Sequence, residues 1–137
     1  MHKRGTPKDM QKKLNPRANM VKEFDKFIEK RLKILDKMKF NLKKVWFDPG
    51  IGFGKTLNQN LQLMRSLSKY SYKNLQILLG SSRKSWINFI DPSNADQRIG
   101  GSLASITHAL QQNVNTFRIH DVQETNQMIK VLKALNK

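Results

Sequence analysis

The stretch Val45-Trp46-Phe47-Asp48-Pro49-Gly50-Ile51-Gly52-Phe53-Gly54-Lys55 runs from an apolar segment into a glycine-rich loop. Val45, Trp46 and Phe47 favour extended backbone, and a run this apolar suits a strand covered on both faces. Asp48 stands where that strand would end, and Pro49 after it cannot donate to a sheet ladder. The three glycines open the loop to unusual backbone angles and to close approach by a ligand. Thr56 and Gln59 then form a capping-box pattern, ahead of Leu57, Leu61, Met64 and Leu67 at helical spacing. A single carboxylate is therefore set at the carboxyl end of a buried strand, beside a flexible loop and a helix start. Parallel α/β architectures bind ligands at that position. The same residues also read as a plain strand–turn–helix joint with Asp48 capping the turn. They are not a phosphate-binding P-loop, because Pro49 occupies the place of that motif's first glycine.

Outward from this stretch, helices and strands alternate. Residues 1–17 hold Gly5, Pro7 and Pro16 and read as a loop with one turn near Lys8–Lys13. Met20, Phe24, Phe27, Ile28, Leu32, Leu35 and Met38 recur at helical spacing, predicting one amphipathic helix over about 19–39 with its lysines outward. A helix over about 57–70 follows the glycine loop, and Leu75–Leu79 reads as a second buried strand. Gly80-Ser81-Ser82-Arg83-Lys84 comes next, with a short helix at Ser85–Phe89 broken by Asp91-Pro92. Ser93 and Asp96 are a second capping-box candidate. The helix after them presents Leu103, Ile106 and Leu110 on one face. Val114–Ile119 is the third strand, and a last helix over about 123–135 is expected to bury Met128, Ile129, Leu132 and Leu135. This alternation implies parallel strands joined by right-handed crossovers. The spacing of the strand ends suits part of a (β/α)8 barrel, with a flavodoxin-like open sheet as the alternative.

Length and composition narrow the function classes. The chain has 137 residues, enough for one domain with a real core, and 38% apolar residues argue against disorder. No run of about eighteen apolar residues is present, so no transmembrane helix is expected, and the basic N-terminus lacks the apolar core of a signal peptide. With no cysteine, disulfides and thiolate metal sites are excluded, and the cytosol is the expected location. The net charge is +16, and 15 of the 26 Lys and Arg residues lie within residues 1–45 beside five acidic ones. Such a front suits nucleic acid, anionic membrane or phosphorylated ligands. Its lysines follow an amphipathic pattern without interleaved aromatics, so a solvated helix face is the preferred reading.

Each strand ends in polar residues suited to one shared site: Asp48 after the first, Ser82, Arg83, Lys84 and Ser85 after the second, Arg118 and His120 after the third. Residues two apart on an extended strand point the same way. Lys84, Arg118 and His120, with helix-start amides near Ser85, would cradle a diphosphate. Singly, each has a plainer role: Arg83 and Lys84 as helix-start charges, His120 as a neutral capping histidine, Asp121 with Glu124 as a helix cap. His2, His108 and His120 match no spacing of a known metal-ligand set.

Four segments together resemble dihydropteroate synthase, the folate-pathway transferase. They are Met1-His2-Lys3-Arg4-Gly5-Thr6-Pro7 with Met10-Gln11, then Asp48 through Lys55, then Gly80-Ser81-Ser82-Arg83-Lys84-Ser85, and finally Arg118-Ile119-His120-Asp121-Val122. They are similar to that family's loops after strands five, six, seven and eight, in order and over the whole chain. The resemblance implies an α/β fold, the C-terminal half of a TIM (β/α)8 barrel, with residues 1–137 forming a partial pterin-binding domain. It implies condensation of 4-aminobenzoate with 6-hydroxymethyl-7,8-dihydropterin diphosphate to 7,8-dihydropteroate and diphosphate, assisted by Mg²⁺.

Carried over by position, Asp48 and Lys84 would bind the pterin edge, with Met1 lining its floor. Arg118 would stack on the pterin and, with His120, hold the diphosphate. Phe53 and Ser85 would face the aminobenzoate, supported by Gly52 and Ser82. No side-chain nucleophile or base is implied, because the arylamine attacks directly.

By the same resemblance the chain starts at the end of the family's fifth strand, and the first four strands and most of the fifth have no counterpart here. With them go its metal-binding asparagine and two further pterin-binding residues, so no metal ligand is expected in this chain. A complementary N-terminal half-barrel chain is one expected partner, and a homo-oligomer is the family habit. Membrane and nucleic acid are not expected partners. The alternatives are an inactive gene remnant and a basic protein holding RNA or phosphorylated ligands.

Overall fold

The computed structural model describes residues 1–6, 8–12, 14–71 and 75–136. Pro7 of the quoted N-terminal loop and Lys13 at the end of the expected turn lie outside the described residues. Helix α1 spans Met20–Lys37, with the Asn19 side chain accepting from the Lys22 N–H as its N-cap. It buries Met20, Phe24 and Ile28, an apolar stripe at helical spacing. Strand β1 (Trp46–Phe47) leads into the glycine loop and α2 (Leu57–Arg65). Both hydrogen bonds of the Thr56–Gln59 capping box are present. A short helix α3 (Ser68–Ser71) precedes β2 (Gln76–Leu79), and α4 (Ser85–Asn88) follows it. Helix α5 covers Ile99–Gln111, β3 Thr116–Phe117 and α6 Val122–Leu135.

The sheet order is β1-β2-β3, with both pairs parallel. The registers Trp46–Gln76, Phe47–Ile77, Leu78–Thr116 and Leu79–Phe117 define its two faces. Phe47, Ile77 and Leu79 share one core with Met20 and Phe24 of α1, Leu63 and Met64 of α2, and Ala109 of α5. Helix α1 and helices from both crossovers thus meet the same face, as in a barrel wall, whereas an open doubly wound sheet covers both faces. The other face carries Trp46, which is 45% exposed and donates from Nε1 to Thr116 Oγ1 at 3.2 Å. The expectation that Val45–Phe47 is covered on both faces therefore fails: the pleat sends Phe47 into the core and Trp46 out of it.

Two other expectations, a capping box and the burial along α6, are corrected, and the face of α5 is refined. The capping box near residue 95 is Asn94 with Gln97, one residue beyond Ser93 and Asp96. Helix α5 buries Ser102, Ser105, Ile106 and Ala109, while Leu103 and Leu110 are only half-buried. Its inner face carries hydroxyls because they have partners there: the Ser81 and Ser105 hydroxyls bond each other at 2.7 Å, and Ser102 Oγ accepts from the Arg83 N–H at 2.9 Å. Helix α6 leaves Leu135 77% exposed, and Met128, Ile129 and Leu132 are half-buried. It lies along α5, where Thr107 Oγ1 donates to Met128 Sδ at 3.2 Å.

Candidate functional site

The site forms where the three strands end. The N-terminal segment runs beside the end of β1, with the His2 N–H donating to the Asp48 carbonyl at 2.8 Å. The Asp48 carboxylate accepts from the Gly50 N–H at 2.7 Å, so it caps its own turn, as the plainer reading held, while keeping its second oxygen for other donors. Gly50 has φ +66, and a Cβ there would lie 1.9 Å from the His2 carbonyl oxygen, so the position requires glycine on both counts. The loop is pinned from outside: the Gly52 carbonyl accepts from Gln11 Nε2 at 2.6 Å, and its N–H donates to Asn60 Oδ1 at 2.8 Å.

Lys84 reaches back from the end of β2. Its Nζ donates to the Ile51 carbonyl at 2.7 Å and stands 4.6 Å from the centre of the Phe53 ring. Its pKa is lowered, first by burial and also by Arg118, against an opposing pull from Asp48. Gly80 adjoins both cations: a Cβ built on it would sit 3.8 Å from Lys84 Nζ and 3.9 Å from Arg118 Cβ. The Arg118 N–H donates to the Leu79 carbonyl, extending the β2–β3 ladder by one bond and fixing where its exposed side chain leaves the strand. His120 Nδ1 lies 3.0 Å from the buried Ser82 hydroxyl. Asp48, Gly52, Phe53, Ser82, Lys84, Arg118 and His120 thus share one rim. Met1 and Ser85 stand next to His2 and Lys84 in the chain, and both are exposed.

Asp121 stands at the N-cap of α6, as read from the sequence, but its side chain makes no cap hydrogen bond. Its carboxylate takes two bonds from the Arg83 guanidinium, Nε to Oδ2 at 3.0 Å and Nη2 to Oδ1. That pairing holds the Asp121 carboxyl below the usual carboxylate range and raises Arg83. Arg83, with φ +55, is thereby spent on joining the second and third strand-end loops. Lys55 is the residue that sequence reasoning missed. It is 2% exposed, and its Nζ donates to the carbonyls of His2, Gly50 and Phe53. Lysines are ordinarily solvated, so only its place directly after three spaced glycines was available as a signal.

The three histidines do not meet. His2 packs on Phe24 and Phe27, His108 contacts Gln112 on α5, and His120 contacts Ser82. Among the described residues no three His, Asp or Glu side chains converge. Asp48 stands among cations, whereas Mg²⁺ asks for several oxygen ligands. The residues present therefore do not fit a Mg²⁺ site.

Residues 1–120 match the family model described as pterin binding enzyme. The chain belongs to the pterin binding enzyme family. It is 35% identical over 137 residues to the bifunctional dihydropteroate synthase/dihydropteroate reductase of Helicobacter pylori, covering all of this chain and 35% of that protein. It is 34% identical over 135 residues to dihydropteroate synthase of Escherichia coli K12, covering 98% of this chain and 47% of that one. Among solved structures, Yersinia pestis dihydropteroate synthase with a sulfonamide drug complex superposes with a TM-score of 0.89 at 31% identity, over 98% of this chain and 49% of that one. The Thermus thermophilus synthase in complex with 6HMPPP gives 0.83 at 31% identity, over 96% and 52%. The chain spans about half the length, or less, of the relatives it matches. With this similarity the parallel sheet and its one-sided helices are about half of a TIM barrel. Among the described residues no helix is long and apolar enough to cross a membrane.

Proposed function

We propose that this chain supplies the C-terminal half of a dihydropteroate synthase site in cytoplasmic folate biosynthesis. The observation that carries the reading is the meeting of Asp48, Lys84 with Phe53, and the Arg118/His120 pair on one rim. A pterin edge offers paired N–H donors, and the free oxygen of Asp48 accepts them as charge-assisted bonds. Lys84 donates to the pterin's oxygen or ring nitrogen, exchanging its present bond to the Ile51 carbonyl. Arg118 stacks on the pterin and, with His120, holds the diphosphate. Phe53 and Ser85 face the aminobenzoate, Gly52 and Ser82 hold this shell, and Met1 lines the pterin floor.

In the reaction the arylamine nitrogen attacks the pterin's exocyclic methylene carbon. A C–N bond forms, the C–O bond breaks, and diphosphate leaves with the electron pair. The nitrogen then releases its proton to solvent. Arg118 and His120 stabilise the negative charge developing on the leaving group. Any Mg²⁺ would be bound by the diphosphate and by residues other than these. Full turnover requires the other half of the barrel, from a partner chain or from further sequence, and the assembled enzyme is a homo-oligomer.

Calorimetry with 6-hydroxymethyl-7,8-dihydropterin diphosphate tests the reading. The wild-type chain is expected to bind and Asp48→Asn to bind about ten- to a hundredfold more weakly, the scale of one charged hydrogen bond. The substituted carboxamide keeps an acceptor for the Gly50 N–H, so the turn should survive. No heat from a folded wild-type sample would defeat the proposal.

A further inference from the structure

The glycine loop is held by two lysines. Lys55 Nζ donates to the carbonyls of Gly50 at 2.7 Å, Phe53 at 3.1 Å and His2 at 3.2 Å. An ammonium has three N–H bonds, and all three are committed to backbone. Lys84 Nζ takes the Ile51 carbonyl between them, at 2.7 Å. The carbonyls of residues 50, 51 and 53 are thus all turned onto cations, which orients the Phe53 ring under Lys84. The His2 carbonyl also ties the N-terminal segment to the loop, across the contact where Gly50 leaves no room for a Cβ. A buried ammonium needs its donors satisfied, and every acceptor this one takes belongs to the glycine loop or to the N-terminal segment.

We infer that Lys55 is a positioning residue of the rim: its ammonium clamps the glycine loop onto the N-terminal segment and so sets where Phe53 and Lys84 stand. The consequence for binding rests on the proposed function, whereas the clamp itself rests on geometry alone. Because the acceptors are neutral carbonyls, the buried charge has no direct counter-ion among the described residues. Its pKa is drawn down to about 8, first by burial and then by Lys84 and Arg4, against opposing pulls from Asp48 and Glu23. His2, held near 4, stays neutral above that and adds no charge. Above about pH 8 the clamp therefore loses a proton and one of its three donors.

Amide NMR of the wild-type chain and of Lys55→Gln between pH 6 and 10 tests this without any ligand. Ile51, Gly52, Phe53 and Lys84 amides should shift in the wild type with a midpoint near pH 8, and that step should vanish in Lys55→Gln. A titration of the loop that is unchanged by the substitution overturns the inference. Should Lys55→Gln fail to fold, ¹⁵N-lysine spectra of the wild type decide: a Lys55 Nζ titrating near 10.5 with fast solvent exchange overturns it, and one titrating near 8 upholds it. In the second arm, affinity for the dihydropterin diphosphate at pH 7 should fall about tenfold in Lys55→Gln, the scale of one lost charged hydrogen bond. The pH 7-to-9 decline of the wild type should be absent. Unchanged affinity and pH profile again overturn the inference. If the wild type binds no pterin, the functional reading fails and the loop titration alone decides on Lys55.

Discussion

Adding one methyl group at Gly50 should cost this fold far more than adding the same group at Gly100. At Gly50 the backbone has φ +66, which costs an L-residue about 1–2 kcal/mol. The new Cβ would stand 1.9 Å from the His2 carbonyl oxygen and 3.0 Å from its carbon. Those are backbone atoms, so the N-terminal segment must lift. Lifting breaks the His2 N–H bond to the Asp48 carbonyl, about 1 kcal/mol, and the Lys55 bond to His2, about 1.5–3 kcal/mol as a charged pair. Gly50→Ala is therefore expected to destabilise by about 4 kcal/mol, a large share of the ~5–15 kcal/mol that holds a typical domain. Gly100 lies in α5 with nothing within 4 Å of a built Cβ, so Gly100→Ala should stabilise by up to about 1 kcal/mol. Urea unfolding followed by circular dichroism reads both. A Gly50→Ala midpoint equal to wild type would refute the close seating of the N-terminal segment on the loop.

Gly101→Ala would bring its Cβ to 2.5 Å from Ile87 Cγ2, so α5 should lose about 1–3 kcal/mol by overpacking, and the same change made in an Ile87→Ala background should cost less. Thermal melts of the three variants check this. Arg118→Ala should weaken inorganic diphosphate binding by about 2–3 kcal/mol, read by calorimetry, while its exposed side chain leaves unfolding within about 0.5 kcal/mol of wild type. His2 is held neutral in the fold, its pKa lowered from 6.5 to about 4 by burial and by Lys55, Arg4 and the N-terminus. The unfolded chain takes up that proton first as pH falls. The His2 contribution to stability should therefore be full above about pH 6.5 and fall by the order of 3 kcal/mol on the way to pH 4. His2→Phe should flatten the profile in that window.

The parts of the fold visible in the sequence were those governed by local rules. The α1 stripe and the Thr56–Gln59 box follow from spacing and capping chemistry, and both appear in place. Asp48 and Arg118 were readable because each follows directly on a strand end, Phe53, Ser82, Lys84 and His120 because they stand in the loops just beyond, and parallel strands bring those ends together. The misses are tertiary. Whether Trp46 is covered depends on what lies across the sheet, and Leu135 depends on whether α6 has a second neighbour. Serines on the inner face of α5 look polar in sequence and are buried because Ser81 and the Arg83 N–H await them. Lys55 and the Arg83–Asp121 pair escape pattern reading because a charge is read as solvated until its partners are known: Asp121 and His2 are distant in the chain, and the Gly50 and Phe53 carbonyls are turned inward only by the folded loop.

We propose that one rim, built from three strand ends, holds a pterin diphosphate. Amide chemical-shift mapping during a titration with 6-hydroxymethyl-7,8-dihydropterin diphosphate addresses it directly. Shifts confined to residues 48–54, 82–85 and 118–120 are predicted. Shifts gathered instead on the lysines of α1, with the three strand ends silent, would contradict it.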